Sequence, residues 1–232
     1  MPKYQLKTPF ICDVSEGAGV IPWAELNPKP YRAIMRASAK FKDGVRREDK
    51  RVVSHAAQCR ALGIKIGLYH FLRPNNISEQ AKLFLSVWNK VGGADMPPVL
   101  DVEVMLPKKQ PGVRLITTED WAGHVKVWLD LVEAGTGIRP MIYTNQLYWT
   151  QTFSRKGKPP VWANKYPLWV AWYPHSQFVD ANPVPAPALM PAGFGKWALW
   201  QYSQTGILDG HMAEDLNTIS PEYKAILNAQ YG

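Results

Sequence analysis

At three places in this chain acids stand where apolar, strand-like runs come to an end. Asp101 and Glu103 close the run Pro98-Val-Leu-Asp-Val-Glu103, Asp13 follows Phe10-Ile-Cys12, and Asp215 sits in Glu214-Asp-Leu-Asn217 beside a weaker β-rich run. Residues i and i+2 of a strand point to one face, about 6.5–7 Å apart at Cα, so Asp101 and Glu103 would project two carboxyls into one space. Burying two acids together raises at least one pKa, which is what a general acid working near neutrality needs. Taken singly, each acid also reads as a solvated loop, turn or cap residue. Three strand-end sites in one chain favour a carboxylate-based active site.

Aromatic residues flank the same positions: Tyr69 and Phe71, Tyr143, Trp169, Trp172 and Tyr173, and the triplet Trp200-Gln-Tyr202. Aromatic faces pack on the apolar C–H faces of sugar rings, and the polar tips of Tyr and Trp bond hydroxyls. Core packing explains others, notably Trp88, Trp121 and Trp128. Acids beside a Trp/Tyr-rich cleft point to a glycosidase or a sugar binder. There is no G-x-S-x-G elbow, no phosphate-binding G-x-x-x-x-G-K-[ST] and no H-E-x-x-H metal spacing. No cofactor and no metal are expected. His70, in Tyr-His-Phe, reads either as a site residue or as a hydrogen-bonded core histidine.

These residues need a frame that brings strand ends together. Apolar or β-rich runs appear at Pro9–Val14, Tyr31–Ala37, Ile64–Phe71, Pro98–Val104, Met141–Thr144, Leu168–Tyr173 and Trp197–Tyr202, with a weaker one near Leu216–Ile219. Most are too unbroken for half-exposed hairpins and suit a parallel sheet buried on both faces. Helical stripes lie between the early runs. Ala81, Phe84, Leu85 and Trp88 fall at i, i+3, i+4 and i+7 after a Ser78 cap and before Gly92-Gly93. Trp121, Val125, Trp128, Leu129 and Val132 make a second stripe, with Thr117 or Thr118 as its cap and Gly135 as its stop. Val45–Leu62 is a third candidate, its Arg46-Arg47 to Lys50-Arg51 stretch reading as a solvated helix face. After about residue 145, Pro and aromatics replace the stripes, as in Pro183-Val-Pro-Ala-Pro187. The pattern predicts an α/β barrel with good helices in its first part and mostly loops later.

With 232 residues, 46% of them hydrophobic and 20% charged, the chain can bury one sizeable core, and 1–232 reads as a single domain. The net charge of +8 favours polyanionic partners. No nucleic-acid motif accompanies it, so nucleic-acid binding is not expected. No apolar run is long enough for a membrane span, so no membrane insertion is expected. The N-terminus lacks the apolar segment of a secretory leader, which predicts synthesis in the cytoplasm. Cys12 and Cys59 read as two buried thiols rather than a disulfide framework.

In order, Asp13-Val-Ser15, Ala33-Ile-Met-Arg-Ala-Ser38, Gly67-Leu-Tyr-His-Phe71, Pro98-Val-Leu-Asp-Val-Glu103, Tyr143-Thr144, Leu168-Trp-Val-Ala171, Trp200-Gln-Tyr202 and Asp215-Leu-Asn217 form a set spanning nearly the whole chain. This set resembles the family-25 glycoside hydrolases, the Chalaropsis-type lysozymes. The resemblance implies an irregular barrel of eight strands with about five helices. It implies N-acetylmuramidase activity on the β-1,4 bond between N-acetylmuramic acid and N-acetylglucosamine of peptidoglycan. By the same resemblance Glu103 is the general acid and later the base. Asp101 steadies the oxocarbenium-like centre, either as nucleophile or through the substrate's acetamido group. Asp13 and Asp215 complete the catalytic set. Tyr69, Phe71, Tyr143, Trp172, Tyr173, Trp200, Gln201 and Asn217 are the substrate-binding set. Two departures stand out: Ala39 replaces a usual acid, and Glu16-Gly-Ala-Gly19 replaces an aromatic-Gln-Gly. The resemblance further suggests a monomeric phage endolysin released by a holin. The competing readings are a catalytically silent glycan binder on the same fold and another barrel glycosidase such as a chitinase, whose D-x-x-D-x-D-x-E run is missing here.

Overall fold

The apolar runs close into a ring. In the computed structural model, which describes residues 10–40, 46–104, 117–154, 159–173, 187–208 and 211–231, nine strands share one sheet. They are β1 (Ile11–Val14), β2 (Arg32–Lys40), β3 (Arg46–Glu48), β4 (Lys65–Phe71), β5 (Val99–Asp101), β6 (Met141–Asn145), β7 (Leu168–Ala171), β8 (Leu199–Leu208) and β9 (His211–Ile219). Their order is β1-β9-β8-β7-β6-β5-β4-β2-β3, and a further β1–β2 pairing closes eight of them into a barrel with β3 outside it. Among the described residues five α-helices accompany it: α1 (Val52–Ala61), α2 (Ile77–Lys90), α3 (Thr118–Thr136), α4 (Gln146–Trp149) and α5 (Pro221–Tyr231).

The side-chain period of two divides the strands between two cores. Ile11, Ile34, Val99, Met141, Trp169 and Leu199 gather inside the barrel. Their neighbours Cys12, Met35, Leu100, Ile142, Val170 and Trp200 gather outside it with Phe84, Trp121 and Trp128 of the helices. The inner space is tight: a Cβ on Gly67 would meet Met96 Sδ at 3.1 Å and Ile34 at 3.2 Å.

Several expectations need correction. The sheet is not wholly parallel: β9 runs antiparallel to both β8 and β1, so a hairpin completes the ring. The helix expected over Val45–Leu62 begins only at Val52. Arg46–Glu48 instead form β3, antiparallel to β2, because ion pairs hold this short edge strand: Arg47 to Glu16 at 2.7 Å and Glu48 to Lys90 at 2.7 Å. Ser78 does not cap α2; Asn76 occupies that position with φ 54° and no side-chain cap bond. Thr117 does cap α3, in a reciprocal box with Asp120, but the helix stops at Gly137 (φ 70°) rather than Gly135. The helix α5 was not expected, since Leu227 is its one buried residue and no apolar stripe marks it. Residues 183–186 of the proline-rich stretch lie outside the described residues. Cys12 and Cys59 are buried thiols that form no disulfide, and burial pushes Cys59 up to about 12. Among the described residues, no helix is long and apolar enough to cross a membrane.

Candidate active site

Strand parity decides which side chains reach the barrel mouth. Asp13 shares parity with Ile11 on β1, Asp101 with Val99 on β5, and Tyr143 with Met141 on β6. Gln201 shares it with Leu199 on β8, and Asp215 with Asn217 on β9. Beyond β5 the chain stays extended: Val102 N–H donates to Tyr143 O (2.9 Å) and Thr144 Oγ1 donates to Val102 O (2.8 Å). Val102 is fully buried on the outer side, so Glu103 turns back inward beside Asp101. Asp13 and Asp215 face each other in the β1–β9 register. The four acids therefore meet in one cavity of about 170 Å³, walled by Tyr69, Phe71, Tyr143 and Trp169. A neighbouring cavity of about 380 Å³ shares Glu103 and Tyr143 and continues over Trp172 and Tyr173. Together they make a cleft with Glu103 at the junction.

Hydrogen bonds set the floor of the cleft. Trp169 Nε1 donates to Asn217 Oδ1 (2.8 Å), which fixes the amide so that Nδ2 donates to Asp13 Oδ2 at 2.7 Å. Gln201 Nε2 donates to the same oxygen at 2.9 Å. The Gln201 carbonyl oxygen accepts from Tyr143 (2.8 Å) and Tyr173 (2.6 Å) hydroxyls. Asp13 is thus held by two amides. Asp101 is treated differently: its Oδ1 is buried with no hydrogen-bond partner among the described residues.

Burial is the first cause of the pKa shifts here. Asp101 is pushed well up by desolvation, then by the charges of Glu103 and Asp13, against Arg36 and Arg73. Glu103 is raised by desolvation and then by Asp215, against Arg73. Asp215 is raised to about 6 by desolvation, offset by its hydrogen bond with Asp13. Both carboxyls of the Asp101–Glu103 pair are therefore pushed toward their protonated forms. Glu103 is the less buried of the two and lines both cavities.

Not every expected residue lies against the cleft. Trp200 does not line either cavity: its parity is outward, it is 1% exposed, it stacks on Trp172 (5.6 Å) and it donates from Nε1 to Trp172 O (2.7 Å). Asn217 is equally buried and acts through Asp13. His70 also faces outward. It stacks on Trp128 at 5.7 Å and bonds Ser38 (2.8 Å) and Gln80 (3.1 Å), and burial lowers it to about 4. It is a core histidine.

Other residues came into view only with the fold. Arg36 reaches the acid cavity, its guanidinium held by buried Asp49 (3.0 Å) with Glu16 beyond at 3.9 Å. Glu16, in the altered first loop, is taken by Arg47 through two 2.7 Å bonds, which lower it to about 2. Ala39, the other departure, is buried. Parity with Ile34 marks Arg36 as inward; nothing local marks Asp49. A larger cavity of about 640 Å³ lies at the opposite end of the barrel, but its one acid, Glu222, is paired with Lys196 at 2.8 Å. Among the described residues, no group of three or more His, Cys, Asp or Glu is arranged to hold a metal ion.

The family model for glycosyl hydrolases family 25 matches residues 12–211. Lysozyme M1 of Streptomyces globisporus is 32% identical over 208 residues, covering 85% of this chain and 63% of that protein. The Escherichia coli protein YegX is 30% identical over 149 residues, covering 64% of this chain and 45% of its own length. The chain thus spans about half to two thirds of the curated relatives it matches. Among solved structures, the Clostridium perfringens spore cortex lytic enzyme SleM superposes with a TM-score of 0.71 at 29% identity, covering 95% of this chain and 69% of that one. A lysozyme from Streptomyces coelicolor gives a TM-score of 0.70 at 24% identity, covering 96% and 97%, and supports the fold alone.

Proposed function

Since the chain belongs to glycosyl hydrolases family 25, we propose that it is a peptidoglycan-cleaving N-acetylmuramidase, with residues 1–232 as one catalytic unit. The observation that carries this is the placing of Asp101 and Glu103 on one inward face, opposite Asp13 and Asp215, in a cleft walled by tyrosines and Trp169. The names of its relatives, a lysozyme and a cortex lytic enzyme, support the substrate class.

A glycan strand lying along the cleft sets its scissile bond at the junction of the two cavities. Glu103 gives its proton to the departing glycosidic oxygen, and the anomeric carbon becomes oxocarbenium-like above Asp101. That developing positive charge favours the ionised form of Asp101, while Glu103 is the group that gives a proton. Asp101 then stabilises the centre directly or through the substrate's acetamido group. Glu103, now a carboxylate, takes a proton from the attacking water. Asp13, held by Gln201 and Asn217, and Asp215 keep the field negative so that Glu103 holds its proton until the bond breaks.

The test is mass spectrometry of borohydride-reduced soluble products from purified peptidoglycan, with wild type and Glu103→Gln in parallel. Wild type should release muramitol ends, and Glu103→Gln should be slower by about 10²–10⁴-fold. Glucosaminitol ends would make it a glucosaminidase. Tight binding with no new ends would make it a glycan binder.

The +8 charge supports a second element of the reading, that the protein holds an anionic wall by its own surface. Binding of Glu103→Gln to walls should weaken from low to high salt; unchanged binding refutes charge as the anchor. A single-chain, holin-released phage endolysin acting as a monomer fits this reading.

A further inference from the structure

Two arginines act on the acid cleft, and one is already engaged: Arg36 is held by Asp49. The other, Arg73, makes no ion pair among the described residues, and its Nε is buried without a hydrogen-bond partner. The guanidinium carbon lies 4.8 Å above the ring of Phe71, and Phe71 lines the acid cavity. Both Asp101 and Glu103 feel this charge, which opposes the rise in their pKa values.

The backbone that presents Arg73 is buckled down by one side chain. Fully buried Gln80 accepts from the Arg73 N–H (3.1 Å) and donates to Arg73 O and Asn75 O, both at 2.8 Å. It is braced in turn by His70 at 3.1 Å. The turn places Asn75 (φ 72°) and Asn76 (φ 54°) consecutively in the left-handed region, a conformation that persists only when its surroundings impose it. A guanidinium laid on an aromatic ring from an anchored backbone, with no hydrogen bond among the described residues, is a receptor for a planar anion.

We propose that Arg73 determines specificity by binding a carboxylate carried by the glycan substrate, seated beside Phe71 at the edge of the acid cleft. The inference rests on the muramidase reading. N-acetylglucosamine carries no carboxylate. In a muramyl strand the group comes from a lactyl ether free of peptide, or from an attached stem peptide, and both present the same planar anion.

The test is calorimetric binding to the Glu103→Gln protein of three sets of muramyl-glucosaminyl oligomers: with free lactyl carboxylates, with the same groups converted to neutral amides, and with stem peptides attached. Free-carboxylate oligomers should bind about tenfold more tightly than the amides, the lower range for one hydrogen bond to a charged group. Adding Arg73→Gln should bring the two within twofold, and Arg73→Lys should restore part of the difference. A preference for stem-bearing oligomers over amides that Arg73→Gln abolishes would support the proposal with the stem as the source. Binding within twofold for all three sets, or a preference that survives Arg73→Gln, would overturn it. If Arg73→Gln fails to fold, Arg73→Lys carries the test: a free-carboxylate preference that it leaves unchanged would overturn the proposal. Failure of the muramidase reading shows separately, as wild type releasing no muramitol ends.

Discussion

Gln201 is the test of whether the cleft floor is a hydrogen-bonded unit. It is 2% exposed, and its amide joins Asp13 (2.9 Å), Tyr143 (2.8 Å) and Tyr173 (2.6 Å). Truncation to alanine takes from Asp13 one of its two amide donors, worth about 1.5–3 kcal/mol for a bond to a charged group. It also strands the hydroxyl of Tyr143, 9% exposed, at about 1–2 kcal/mol. Tyr173 is 42% exposed, so its hydroxyl turns to water at little cost. The expected loss for Gln201→Ala is therefore about 2.5–5 kcal/mol. Measured by urea unfolding with m of about 2 kcal/mol/M, the midpoint should fall by roughly 1.2–2.5 M with m unchanged. Tyr143→Phe should cost more than Tyr173→Phe, which should stay within about 0.5 kcal/mol. A loss below about 1 kcal/mol for Gln201→Ala, or equal losses for the two tyrosines, would refute the reasoning.

Asp215→Asn should separate stability from activity. The folded carboxyl is raised from 3.8 to about 6, so the folded state binds more protons than the unfolded one between those values, and stability falls as pH rises through that window. The variant should therefore melt above wild type at pH 7, with the gap closing below about pH 4, and should turn over more slowly; the same melting difference at both pH values would sink the assignment. Asp49→Ala leaves Arg36 without its 3.0 Å partner and frees the amide N–H groups of Glu16 (2.8 Å) and Arg51 (3.0 Å). Breaking this buried pair should cost about 3–5 kcal/mol in denaturant unfolding, and a change below about 1 kcal/mol would mean solvent already screens it.

The barrel strands were legible because their apolar runs are unbroken, and α2 and α3 because their buried faces repeat at helical spacing. What escaped lacked an apolar signature. Strand β3 is held to β2 by backbone pairing and ion pairs, and α5 buries one residue. A polar signal for α5 did exist: Ser220 stands before Pro221, and its Oγ accepts from Tyr223 N–H at 3.1 Å. Strict parity along β8 would have set Trp200 outside with Val170 and Gln201 inside with Leu199. Parity along β2 marks Arg36, although a register shift between Arg36 and Ser38 ends that pattern one residue later. Asp49 had no local signal, because its burial depends on an arginine thirteen residues away and on the first loop.

The inward parity of the acids is the energetically expensive choice, and its expense argues for chemistry over structure. A structural acid at a strand end would be satisfied as Asp13 is, by two amide donors on one oxygen. Asp101 is 5% exposed, stands near Glu103 and Asp13, and leaves Oδ1 without a partner among the described residues. The nearby cation Arg36 is tied to Asp49, so it cannot swing in to form a close pair with Asp101 without giving up that bond. A buried carboxyl kept short of donors gains most when positive charge arrives beside it. In the proposed mechanism an oxocarbenium-like centre supplies that charge and a resting sugar ring does not, so the interaction would be strongest in the transition state. Asp101→Asn should accordingly lower kcat far more than it raises KM, whereas a merely structural Asp101 would lose stability and leave kcat nearly unchanged.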